Sequence, residues 1–215
     1  KDAYKLTTLK KRGATPSRSE RPLPLTHALS IFDGILAGVA AAHGKGIIHR
    51  DLKPGNVMIK QSGDPVVMDF GLARFGTSEG DVTQPQAVVG TIDFMAPEQA
   101  SSSKSADERS DIFALGAILY YMVTGLKWFT SGGNLLSDVE VLKDKVPVPP
   151  RRHNPKIPKD LETIILKAME KEPTRRYATA KAFREDLDRM RRDEPIHARP
   201  ASAIYRGTKF AKKHR

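Results

Sequence analysis

Cysteine is missing from this chain altogether, which excludes disulfide scaffolds and thiolate metal sites and fits a reducing compartment. Aromatic residues make up only 7% and there is a single Trp, so the base-stacking platforms of nucleic-acid readers are not expected. Long apolar runs are also lacking. The longest, Ile112 to Val123, spans 12 residues, too short to cross a bilayer as a helix, so no transmembrane helix is expected within the chain. The first residues are polar and basic without an apolar stretch, so no secretory signal is expected either. Acidic residues are scarce only at the two ends. Lys1 to Arg21 holds seven Lys/Arg against two acids and Arg199 to Arg215 six against none, whereas Pro22 to Ala198 balances at 23 against 23. The formal charge of +11 therefore belongs to the ends, and a neutral body argues against nucleic acid as a partner.

What is present is enough for a folded domain: 215 residues, 39% apolar and 28% charged, with one domain as the default. Residues 1 to 24 show little periodicity and carry Pro16, Pro22 and Pro24, which reads as a loop or a cut-off element. From Thr26 to His43, Leu29, Phe32, Leu36, Val39 and His43 recur at steps of three and four, the face of an amphipathic helix. Gly44 and Gly46 stop it. Ile47-Ile48, Val57 to Ile59 and Pro65 to Met68 read as short strands, placing Asp51, Asn56 and Asp69 at strand ends. Residues 74 to 93 have the Gly, Ser and Thr content of a surface segment. Ile112 to Tyr121 is apolar nearly all round, as in a central buried helix, and two further helices are predicted over Asp160 to Glu170 and Ala178 to Met190, separated by Pro173. Pro147 to Pro158 reads as a surface connector. Gly44-Lys45-Gly46 superficially suggests a phosphate loop, but no earlier Gly stands at the required spacing and Ile47 occupies the Ser/Thr position.

Three motifs follow one another in order: His49-Arg50-Asp51-Leu52-Lys53-Pro54-Gly55-Asn56, then Asp69-Phe70-Gly71, then Ala96-Pro97-Glu98. Each alone is weak, and an isolated loop Asp is usually a solvated cap or turn residue. Together they match H-R-D-L-x-x-x-N, D-F-G and A-P-E, and on them the chain resembles the eukaryotic-type Ser/Thr protein kinases. The resemblance runs from about Pro24 to Asp193. It implies an α+β, mainly α fold equivalent to the large C-terminal lobe, with short strands around a catalytic loop at 49–56 and an activation segment at 69–98. The Gly-rich loop and phosphate-gripping Lys of the family's N-terminal lobe have no room before His49, so that lobe is expected to be absent and residues 1–24 to be a truncated or linker segment.

The resemblance further implies transfer of the ATP γ-phosphoryl group to Ser or Thr hydroxyls of protein substrates, with ATP and Mg²⁺ as cofactors. Asp51 takes the catalytic-base role, Lys53 contacts the transferred phosphate, Asn56 and Asp69 bind Mg²⁺, and Thr91 closes the site. These oxygen ligands suit a hard cation. Arg50 would pair with a phosphate on the activation segment, for which Thr77, Ser78 and Thr83 are unranked candidates. Glu98 and Arg176 resemble the family's buried ion pair, and Asp111 the Asp that hydrogen-bonds the catalytic-loop backbone. His49 is expected to be architectural, and His27 and His43 plain helix-face residues. Trp128 stands where the family often has Pro.

Residues 194–215 look like the basic juxtamembrane link of bacterial receptor-type kinases, with a solvated basic tail as the plainer reading. On the first view the catalytic body faces cytoplasm, a membrane span follows Arg215, cationic residues gain from anionic lipid, and copies dimerise for autophosphorylation. The 215 residues alone are expected to be nearly inert. The alternatives are a non-catalytic kinase-like module that binds partners, disfavoured by Asp51, Lys53, Asn56 and Asp69, and a small-molecule kinase, disfavoured by Thr91 and Ala96-Pro97-Glu98.

Overall fold

The computed structural model describes residues 4–6, 22–70, 92–101, 107–199, 205 and 209. Its centre is the helix α3, Glu108–Thr124, in which every residue from Ser110 to Thr124 is buried. Asp107 caps its N-terminus by accepting the Arg109 N–H at 2.8 Å, and Gly125 ends it in the left-handed region, φ 75. An all-round apolar sequence calls for neighbours on every side. α3 receives α1, Leu25–His43, on one flank and α6, Lys159–Ala168, on another. Gly116 lets α6 close in, since a Cβ there would lie 2.9 Å from the Ala168 Cβ and 2.7 Å from the Met169 Cγ. α7, Ala180–Arg191, packs against both α1 and α6, with Phe183 between the rings of Phe32 and Tyr177.

α1 is long and apolar enough to cross a membrane by length and composition alone, which the count of contiguous apolar residues had not suggested. Its eight buried residues, from Ala28 to His43, and its packing on α7, α3 and the sheet are those of a core helix.

A small antiparallel sheet lies beside α1 in the order β1-β2-β3: Tyr4–Lys5, Val57–Ile59 and Pro65–Val67. Of the loop or cut-off element expected over residues 1–24, the start is a strand. Tyr4 and Lys5 pair with Ile59 and Met58, and Leu6 is fully buried. The expected strand at Ile47-Ile48 does not form. The Ile47 N–H instead donates to the Ala42 carbonyl at 3.0 Å, finishing the end of α1, and leaves the side chain 45% exposed.

The remaining elements are α2, Pro97–Ser101, α4, Leu135–Asp144, and α5, Pro150–His153, with 3₁₀ turns at Pro54–Asn56, Ile92–Phe94 and Pro173–Arg175. α5 lies within the Pro-rich stretch read as a connector. Trp128 is buried, with its ring edge-on to Phe113 at 5.4 Å.

The packed body continues past Asp193. Asp186, wholly buried on α7, accepts the Tyr177 hydroxyl at 2.9 Å and the N–H groups of His197 and Ala198 at 2.6 and 2.8 Å. Ile196 and Tyr205 are buried, and Lys209 Nζ meets Asp160 at 2.5 Å. The plain solvated-tail reading therefore fails for these residues.

Candidate active site

The site is assembled from the first turn of α3 outward. Asp111 is buried there, and its two carboxylate oxygens are shared among three donors. Oδ2 accepts the His49 N–H and His43 Nε2–H, each at 2.8 Å, and Oδ1 accepts the Arg50 N–H at 2.9 Å. Neighbouring donors of one loop and the last residue of α1 thus converge on a single side chain. His43, expected to be an ordinary helix-face residue, is part of this anchor. Its Nδ1 is buried without a hydrogen bond among the described residues, 3.7 Å from Glu108.

His49 is the next support. Its Nε2 donates to the Met68 carbonyl at 2.8 Å, so Nδ1 is free to accept the Asp51 N–H at 3.3 Å, which fixes the neutral tautomer. The ring also lies 4.7 Å from that of Phe70. One imidazole therefore joins the backbone before Asp69 to the backbone at Asp51.

Around Asp51 the side chains converge. Lys53 Nζ lies 2.8 and 3.1 Å from its two carboxylate oxygens, and Asn56 Nδ2 donates to the Asp51 carbonyl at 2.8 Å and to Oδ2 at 3.2 Å. With Nδ2 so committed, Asn56 Oδ1 is left without a hydrogen bond among the described residues. The Asn56 carbonyl accepts the Met68 N–H at 2.9 Å, which brings Asp69 alongside. Asp69 is exposed, holds φ 60, and makes no ion pair among the described residues. Arg50 also has positive φ, 67. Non-glycine residues are held in this region only by surrounding structure, and such strain gathers at functional sites.

Asn56 Oδ1 and the Asp69 carboxylate are uncommitted oxygens on adjoining strand ends. Such a donor set fits Mg²⁺, which takes few protein oxygens and completes its shell with water and phosphate. The Arg50 guanidinium has its Nε buried without a hydrogen-bond partner. Thr91, Thr77, Ser78 and Thr83 lie outside the described residues.

A brace stands behind the site. Arg176 Nη1 and Nη2 donate to the two Glu98 oxygens at 2.6 and 2.7 Å, and Ser110 Oγ donates to Oε1 at 2.8 Å. The other Arg176 donors reach the carbonyls of Glu170, Arg109 and Lys171 at 2.6, 2.9 and 2.9 Å. Burial alone would raise the Glu98 carboxyl, but the Arg176 hydrogen bonds and charge outweigh it and hold the group below its ordinary value.

Two residues escaped the sequence reading. Gln99 accepts the Ala96 N–H at 3.1 Å and donates to the Arg50 carbonyl at 2.7 Å. Asp93, buried just before Ala96, accepts Lys127 Nζ at 2.5 Å and the Ser131 N–H at 3.0 Å. Neither sits at a periodic position or in a named motif, so the sequence carried no signal for them.

Asp51 is thus gripped by Lys53 and Asn56, alongside the exposed Asp69 and with the Glu98–Arg176 pair as a brace. The protein kinase domain model matches residues 6–187, and the chain belongs to that family. It is similar to the serine/threonine-protein kinase PknB of Mycobacterium tuberculosis, 38% identical over 181 residues, which are 84% of this chain and 29% of the relative. A probable serine/threonine-protein kinase PknB of Bifidobacterium longum is 43% identical over 155 residues, 72% of this chain and 22% of that protein. A probable serine/threonine-protein kinase of Clostridium perfringens is 36% identical over 181 residues, 84% of this chain and 26% of its own length. The chain thus spans less than a third of these relatives.

Proposed function

We propose that this chain is the large-lobe portion of a serine/threonine protein kinase that transfers the ATP γ-phosphoryl group to hydroxyls of protein substrates. The observation that carries the reading is the Asp51 carboxylate held between Lys53 and Asn56 on a loop whose backbone hangs from Asp111. Asp51 accepts the hydrogen bond of the incoming hydroxyl, orients its oxygen and takes its proton. Lys53, fixed beside it, provides positive charge where the transferred group gathers negative charge. Asn56 and Asp69 would hold Mg²⁺, which when bound neutralises the nucleotide phosphates. The resemblance of the loop to Ser/Thr-directed kinases, and the names of the relatives, support Ser or Thr as acceptor.

The nucleotide clamp belongs on this reading to sequence outside the 215 residues, so the isolated chain is nearly inert and the full-length protein is active. Arg50 receives a phosphate carried by Thr77, Ser78 or Thr83, and copies of the protein meet for that reaction. The basic C-terminal segment places the body at the cytoplasmic face of a membrane.

The test is Asp51→Asn in the full-length protein. It keeps size and most hydrogen bonding but removes the base, and phosphoryl transfer to a generic protein substrate is expected to fall about 10²- to 10⁴-fold. Unchanged function, together with a wild-type protein that transfers no phosphate, would favour a non-catalytic binding module.

A further inference from the structure

We propose that Gln99 is a positioning residue that holds the backbone at Arg50, and through it Asp51, to the segment entering α2; the inference rests on the kinase reading given above. Arg50 has φ 67, and a residue with a Cβ stays in that region only when its neighbours fix it. Both of its backbone polar groups are fixed by side chains from other elements. Its N–H donates to Asp111 Oδ1 at 2.9 Å and its carbonyl accepts from Gln99 Nε2 at 2.7 Å. Asp111 does not reach the peptide between Arg50 and Asp51, whose N–H makes one long bond, 3.3 Å, to His49 Nδ1 of the same loop. Gln99 supplies the second point, and its own carbonyl end is fixed in turn by the N–H of the fully buried Ala96 at 3.1 Å.

The amide is suited to this place because it must accept at one end and donate at the other. A carboxylate accepts only, and an aliphatic side chain does neither. The side chain lines a small cavity of about 10 Å³ shared with Arg50, Asp51, Phe94 and Asp111. Gln99 thereby links the two halves of the site: the loop that carries Asp51 and the stretch through Ala96 that leads into the Glu98 brace.

Three full-length proteins test this: wild type, Gln99→Leu and Gln99→Glu. In Gln99→Leu, kcat is expected to fall about tenfold with KM for nucleotide and substrate little changed, since the defect lies in orientation and not in binding. Gln99→Glu keeps the acceptor for Ala96 but sets an oxygen against the Arg50 carbonyl, and protonation restores the missing donor. Its kcat relative to wild type should therefore climb as pH is lowered, while the Gln99→Leu ratio stays flat. Arg50, Asp51 and Asp111 surround the position in all three proteins, and Gln99→Leu, which adds no ionisable group, serves as the control for what pH does to the rest of the site.

Amide hydrogen exchange supplies an arm that needs no activity: the Ala96 amide and the amides of residues 50–52 should exchange faster in Gln99→Leu, with those of α3 unchanged. Unaltered exchange at Ala96 overturns the clasp. Faster exchange with wild-type kcat in both variants overturns its bearing on Asp51. A wild-type protein that transfers no phosphate counts against the kinase reading instead, and the exchange arm still decides on the clasp.

Discussion

Arg176 shows how one side chain can organise a region. Its guanidinium carries five N–H donors in a rigid fork, and here three backbone carbonyls and both Glu98 oxygens accept from them, with the Phe113 ring 5.0 Å away. Lysine has neither the plane nor the number of donors to replace it. Arg176→Met removes the cation outright and is expected to lose about 3–5 kcal/mol of stability, the usual result of taking one partner from a buried pair, measured by urea unfolding. The acid side offers a signed test. Glu98 sits below its ordinary value of 4.5 in the folded protein, so the unfolded chain binds its proton first as pH falls. Its contribution is complete above that ordinary value and is lost as pH drops through the depressed one. Wild type should therefore exceed Glu98→Gln in stability near neutrality, and the gap should close on acidification.

Among the elements, α1 decides how the sheet reaches the site. Gly34 faces Pro65, and a Cβ there would come within 2.4 Å of the Pro65 Cγ, part of a ring that cannot swing aside. Pro65 opens β3, whose far end leads through Met68 to Asp69. Alanine favours helix over glycine by about 1 kcal/mol, yet the clash should prevail. Gly34→Ala is expected to cost about 1–3 kcal/mol, measured as a lower unfolding midpoint. Three helices were legible because each carries a sustained apolar period: α1 was read to within one residue at its start, and α6 and α7 to within two, whereas α3, apolar all round, was read four residues short at its start and three at its end, and α4 was not anticipated. The short pieces were mixed: β2 was read in full and β3 to within one residue, but two others were not. Tyr4–Lys5 is a strand only because β2 offers its edge, and Ile47-Ile48 has strand-like side chains but a backbone taken by the end of α1. At the site, residues in ordered motifs were found, whereas Gln99 and His43 gain meaning only from partners 49 and 68 positions away.

At the scale of the whole molecule, the last described residues belong to the body. Asp186 binds the backbone of residues 197 and 198, and Asp160 meets Lys209, so the stretch after Asp193 contributes to folding as well as to charge. Ending the chain at Asp193 would strip the buried Asp186 of two donors. Such a truncation is expected to lower stability by about 2–3 kcal/mol, measured by thermal unfolding.

The two aspartates stand on α6 and α7, which pack on α3 and α1 respectively. A pull applied to the polypeptide at Lys209 would load those helices first and reach the Asp51 loop by two routes, through α6 to α3 and its Asp111 and through α7 to α1 and its His43.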